Sequence, residues 1–128
     1  MPILSHGIDL VEIPRLARLV DRHPQRFLDR CFTDAERAYS ESNPKRRLEH
    51  YAARFAAKEA GMKALGTGWA LGVTWMDIEV AHAASGAPVL VLHNAASERA
   101  RQMGADRWLL SLTHTEKYAM ASVIACTA

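Results

Sequence analysis

At 128 residues the chain has the length of one domain, and such a chain buries roughly two-thirds of its unfolded surface. A hydrophobic share of 49% with 23% charged residues is ordinary for a soluble globular protein. The net charge of +2 gives no whole-molecule field toward nucleic acid, so any electrostatic specialisation is local. Cys31 and Cys126 form no C-x-x-C, and residues 1–13 are too short and too acidic for a signal peptide. Two cysteines without a secretory signal point to free thiols in a reducing, cytoplasmic compartment. No stretch approaches the ~20 apolar residues of a membrane span.

Ile3–Ile13 is dense in Ile, Leu and Val and reads as a buried strand. Pro14 suits the first turn of a helix over Arg15–Asp21, which Pro24 ends or kinks, with Gln25–Arg30 resuming it. Thr33 with Glu36 forms a capping box for a further helix, and Ser42-Asn43-Pro44 makes a turn. Leu48–Gly66 reads as one long helix with apolar positions at Leu48, Tyr51, Ala52, Phe55, Met62 and Leu65. Gly66-Thr67-Gly68 closes it with a flexible loop. Val73–Ala81 and Pro88–Leu92 read as a strand pair joined around Ser85-Gly86. Asn94 caps a helix that runs to Met103 and stops at Gly104. Trp108–Thr113 and Tyr118–Ala125 are two closing strands turning at His114–Lys117. The expected architecture is α+β in a single domain, with the long central helix packed on an antiparallel sheet.

Glu59 is the most informative residue. At about 100° per residue it falls within ~40° of Phe55 and ~60° of Met62, inside the apolar stripe. An ionised carboxylate there costs several kcal/mol unless a cation or donors compensate it. Lys63, at i+4, is the nearest local cation. Asp9 is a second misplaced acid, since both faces of its strand are apolar. Taken alone it reads as a turn cap or an arginine partner; taken with Glu59 it reads as a ligand for a hard cation. Mg²⁺ commonly uses one or two carboxylates, waters and phosphate oxygens. A Lys beside such a carboxylate is suited to holding a phosphate.

Arg15, Arg18, Arg22 and Arg26 fall within ~80° of one another if the first helix survives Pro24, with Arg30 at the margin. Five Arg without a Lys favour bidentate capture of carboxylates or phosphates over a plain solvated face. Few aromatics interleave, so an acidic protein is the better partner and nucleic acid the weaker one. The six histidines give no H-E-x-x-H and no zinc spacing, and G-x-S-x-G is absent. His114 stands out between Thr113 and Thr115 at a strand turn.

Gly7-Ile8-Asp9-Leu10-Val11-Glu12-Ile13, Arg54-Phe55-Ala56-Ala57-Lys58-Glu59-Ala60 and Lys63-Ala64-Leu65-Gly66-Thr67-Gly68 together resemble the holo-acyl-carrier-protein synthases. Asp77-Ile78-Glu79-Val80 and Ser111-Leu112-Thr113-His114-Thr115-Glu116-Lys117-Tyr118-Ala119 continue the match in order, so it covers nearly the whole chain. The resemblance implies a 4′-phosphopantetheinyl transferase-like fold. It also implies transfer of the 4′-phosphopantetheine arm from coenzyme A to a serine of apo acyl carrier protein, with release of adenosine 3′,5′-bisphosphate. Mg²⁺ and a homotrimer with active sites between subunits come with it. By motif, Asp9 and Glu59 match the metal carboxylates, and Lys63 matches the lysine near the coenzyme A phosphates. Arg54, Lys58, Gly66, Thr67, His114 and Thr115 fall to the nucleotide, and Arg15, Arg18, Arg22 and Arg26 to the acidic carrier. Either Glu59 or a metal-bound water takes the serine proton. Three positions depart from the family: Ala87 and Met76 replace basic residues, and Gly61 sits inside the long helix, at ~1 kcal/mol of helix stability. The rival reading is a non-catalytic adaptor that binds an acidic protein or RNA through Arg15–Arg30, but it leaves Asp9 and Glu59 without a role.

Overall fold

The computed structural model describes residues 2–128. Strand β1 (Ile3–Glu12) sends Ser5, Gly7, Asp9 and Val11 to one face and Leu4, His6, Ile8 and Leu10 to the other, as strand alternation dictates. It passes directly into helix α1 (Ile13–Arg22), with Pro14 in the first turn, where its missing N–H costs nothing. His23 (φ −140°, ψ 62°) then breaks the chain before α2 (Pro24–Cys31). The first helix therefore does not survive Pro24. Arg15, Arg18 and Arg22 lie on α1, whereas Arg26 and Arg30 lie on a separate short helix.

Helix α3 (Asp34–Glu41) opens on the expected capping box: Thr33 Oγ1 accepts from Glu36 N at 3.2 Å, and Glu36 Oε1 accepts from Thr33 N at 2.9 Å. A short turn, Pro44–Arg46, leads into α4 (Arg47–Leu65), which Gly66 ends in the left-handed region at φ 72°. The hairpin of β2 (Ile78–His82) and β3 (Pro88–Leu92) forms a separate two-stranded sheet. Residues 73–77 are a turn rather than strand, because Thr74 N donates to Asp77 Oδ2 at 3.2 Å and offers the backbone a local alternative to a ladder. Helix α5 (Asn94–Met103) ends at Gly104, as expected. Its N-cap is His93 rather than Asn94, which is already the first helical residue. Strands β4 (Arg107–His114) and β5 (Tyr118–Cys126) complete an antiparallel sheet of order β1-β5-β4. No helix of the described residues is long and apolar enough to cross a membrane.

α4 is the centre of the molecule. Ala56, Ala57, Ala60 and Ala64 meet Val80, Ala121 and Val123, so small side chains let the sheet lie close to the helix. The closest approach is at Gly7: a Cβ there would stand 1.9 Å from the Ala60 carbonyl oxygen, so only glycine fits. Gly61 is a milder case against β2. A Cβ would meet Ile78 Cγ2 at 3.1 Å, so the helix propensity lost at Gly61 is exchanged for close packing of β2. A second cluster joins Leu16, Val20, Leu28, Phe32 and Tyr51. Each such side chain contributes about 1.5–3 kcal/mol by burial. Between α3, α4 and β2 lies a wholly buried ion pair. Lys58 Nζ donates to Glu36 Oε1 at 2.7 Å, and Glu36 Oε2 accepts from Val80 N at 2.8 Å.

Candidate active site

The long helix is buried around most of its circumference, and it opens along Phe55, Glu59 and Lys63, three residues spaced by four. Glu59 is thus half-buried on the open side of α4. Asp9, on the helix-facing side of β1, is half-buried beside it. Both carboxylates line a cleft of about 340 Å³, together with Glu12, Arg15, Leu19 and Phe55. Lys63 reaches across to β1: its Nζ donates to the Ile8 carbonyl at 2.9 Å and to Asp9 Oδ1 at 3.3 Å. The expected helical pairing of Lys63 with Glu59 is therefore replaced by a pairing across elements. The strand crossing at Gly7 brings Asp9 within its reach.

Burial raises the pKa of the Asp9 carboxyl above its ordinary value, against the opposing pull of Lys63. Burial also raises Glu59. The Trp75 hydrogen bond pulls it back, the Asp9 charge pushes it further, and Lys63 opposes. Two acids whose charges repel one another across a cleft could together hold a cation. Their oxygens are hard donors of the kind that suits Mg²⁺.

A second cleft, of about 330 Å³, is lined by Lys45, Arg46, Glu49, His114, Thr115 and Glu116. His114 Nδ1 lies 3.0 Å from Glu49 Oε2, which also accepts from Arg46 Nη1 at 2.9 Å. Thr115 Oγ1 accepts from Lys117 N at 3.3 Å and Tyr118 N at 3.2 Å, so it fixes the β4–β5 turn. Lys45 and Arg46 were missed from sequence. Their signal was the basic run Lys45-Arg46-Arg47 just after Pro44, at the entry to the long helix.

The remaining candidates separate. Arg54 is buried, with its Cζ 4.1 Å over the Tyr39 ring, Nη2 3.2 Å from His82 Nε2, and Nη1 donating to the His50 carbonyl at 3.3 Å. Its Nε is buried without a hydrogen-bond partner among the described residues. Lys58 is a correction. Its side chain is 0% exposed, and its ammonium donates to Glu36, to the Trp75 carbonyl at 3.1 Å and to the Ile78 carbonyl at 2.7 Å. All three of its donors are spent inside the core, so it is a structural cation and not a nucleotide contact. Gly66 is exposed at the end of α4, and Arg99 Nε donates to the adjacent Leu65 carbonyl at 2.9 Å. Thr67 is nearly buried, with its hydroxyl donating to the Gly68 carbonyl at 3.1 Å. Arg15, Arg18 and Arg22 are exposed on α1, and Arg15 reaches the carboxylate cleft; Arg26 is exposed on α2.

The α4–sheet core, with paired acids on one cleft and a mixed-charge cleft holding Lys45, Arg46 and His114 at the start of the helix, has known relatives. The model of the 4′-phosphopantetheinyl transferase superfamily matches residues 5–123. The holo-acyl-carrier-protein synthase of Koribacter versatilis is 51% identical over 122 residues, covering 95% of this chain and 97% of that protein. The crystal structure of the Neisseria meningitidis synthase superposes with a TM-score of 0.88 at 33% identity, covering 98% of this chain and all of the other (100%). The Bacillus anthracis synthase, solved in complex with coenzyme A (3′,5′-ADP), gives a TM-score of 0.80 at 32% identity, with 98% of each chain covered. The chain belongs to the 4′-phosphopantetheinyl transferase superfamily and, within it, to the holo-acyl-carrier-protein synthases.

Proposed function

We propose that this protein transfers the 4′-phosphopantetheine arm of coenzyme A to a serine of apo acyl carrier protein and releases adenosine 3′,5′-bisphosphate. The observation that carries the reading is the pair Asp9 and Glu59, two half-buried acids from different elements on one cleft. That donor set fits Mg²⁺, which Asp9 and Glu59 would hold. Mg²⁺, when bound, neutralises charge on the pyrophosphate and its leaving group. Lys63, already held at the cleft by Ile8 and Asp9, would offer its remaining donor to a phosphate oxygen. The serine proton would pass either to Glu59 or to a water held beside it, and burial raises the Glu59 carboxyl above its ordinary value.

Lys45, Arg46, His114 and Thr115 would offer the nucleotide phosphates their donors from the second cleft, with Arg54, Gly66 and Thr67 as further contacts. Arg15, Arg18 and Arg22 form the exposed face for the acidic carrier protein, extended by Arg26 on α2. The assembly is a homotrimer with sites between subunits. It is supported by the uncovered face of the three-stranded sheet, where Leu4, Ile8, Leu10, Leu109 and Met120 are exposed. Leu10 lines both the carboxylate cleft and a shallow hollow of about 150 Å³ beside His114 and Thr115, so a subunit seated on that face borders both clefts. The free, buried thiols of Cys31 and Cys126 support a cytoplasmic protein, and neither nucleic acid nor membrane enters the reading.

The test is release of adenosine 3′,5′-bisphosphate from coenzyme A. Release that requires apo carrier and Mg²⁺ together is the expected result. Release without carrier, or none with both present, contradicts the assignment and returns the arginine face to a binding role alone.

A further inference from the structure

Glu59 extends from α4 on a long side chain with several rotamers, and a metal ligand with that freedom binds weakly unless a neighbour fixes it. The neighbour in this chain is Trp75. Its indole Nε1 donates to Glu59 Oε1 at 3.3 Å, just beyond the usual N–H···O range. The indole is itself tightly placed. Its ring lies 5.5 Å from Phe55, 6.3 Å from Phe27 and 4.4 Å from Trp69, the last two edge-on. Its backbone carbonyl accepts from the buried Lys58 ammonium at 3.1 Å, so the Lys58–Glu36 pair in the core anchors the residue that reaches the cleft. A half-buried indole needs an acceptor, and the one it has is a carboxylate of the proposed metal site.

We propose that Trp75 is a positioning residue: its indole N–H fixes the Glu59 carboxylate through Oε1 and leaves Oε2 for the metal. The inference rests on the metal reading of Asp9 and Glu59. It assigns Lys58 an indirect function, since the core ion pair holds Trp75 and Trp75 holds the ligand. Asp9 is treated in the same way by Lys63, which engages its Oδ1. Each acid thus has one oxygen tied by a donor from another element. Partners that orient ligating groups in this way typically change metal affinity 10–100-fold when removed.

The test titrates Mg²⁺ by calorimetry into the full-length protein saturated with coenzyme A and lacking carrier, so no turnover occurs. Two variants are compared with the wild type: Trp75→Phe, and Trp75 replaced by 3-benzothienylalanine, which keeps the bicyclic shape and lacks only the N–H. Both are expected to bind Mg²⁺ about 10-fold or more weakly. The benzothienyl protein should keep the wild-type melting temperature and wild-type affinity for coenzyme A in the absence of metal. Equal Mg²⁺ affinity in all three proteins overturns this inference alone and leaves Trp75 as packing. Failure of the wild type itself to take up Mg²⁺ overturns the metal reading and the inference together.

Discussion

Replacing Glu59 by Gln keeps an acceptor for Trp75 Nε1 and removes the charge that burial and the nearby Asp9 both disfavour. A carboxyl whose folded pKa is raised adds stability that is full below its unfolded pKa and is lost as pH rises through the folded value. Glu59 and Asp9 are both of this kind, so at neutral pH their charges weigh against the fold. Glu59→Gln should therefore abolish transfer while its melting temperature at pH 7 without metal equals or exceeds that of the wild type. The gap should narrow as pH falls and the raised wild-type carboxyls take up protons. A variant that is inactive because it is unfolded would show instead a lower melting temperature at every pH. Lys58 provides the contrast. Removing one partner of a buried ion pair leaves the other charge uncompensated, so Lys58→Ala should lose about 3–5 kcal/mol in urea denaturation. Wild-type stability in Lys58→Ala would deny the pair its place in the core.

At the scale of elements, what the sequence made legible followed from local chemistry. The capping box at Thr33, the αL stops at Gly66 and Gly104, and the final strand pair all depend on neighbours within a few residues. What it hid depended on packing between elements. Helical periodicity placed Glu59 in a buried stripe, and the family resemblance gave Lys58 to the nucleotide, yet α4 is covered almost all round: Lys58 is wholly buried and Glu59 faces the cleft. Lys63 looked like the partner of Glu59 because i,i+4 spacing is visible in sequence; its link to Asp9 spans 54 residues and is not. The arginine face was overextended for a similar reason, since His23 divides it. Arg22, in the last turn of α1, is exposed. Arg22→Glu should raise KM for the carrier at least several-fold with little change for coenzyme A, because like charges then meet. The wild-type KM should itself climb with salt, as screening acts over ~8 Å at physiological strength. An unchanged carrier KM in Arg22→Glu would move the docking surface elsewhere.

For the whole molecule, the decisive feature is a sheet finished on one side only. α4 covers the inner face, while the outer face of β1, β4 and β5 exposes Ile8, Leu10, Leu109 and Met120, with His6 Nε2 and Ser122 Oγ 2.8 Å apart among them. A face of that kind is covered by another subunit in the proposed trimer, and a chain of 128 residues has little material for both a core and a deep coenzyme pocket. Placing a charge there, as in Leu10→Glu, should give a folded monomer by sedimentation with most of the transferase activity lost. Full activity in that monomer would show that one subunit holds a complete site.

The paired acids are the centre of this account, and intact-mass spectrometry of the carrier protein tests them most directly. Apo carrier would be incubated with coenzyme A, Mg²⁺ and equal amounts of wild-type, Asp9→Asn or Glu59→Gln protein, each first shown to be folded. The wild type should add one phosphopantetheine arm per carrier, and neither variant should add any beyond the enzyme-free control. Loading by either variant at the wild-type rate would contradict the role given to the two acids.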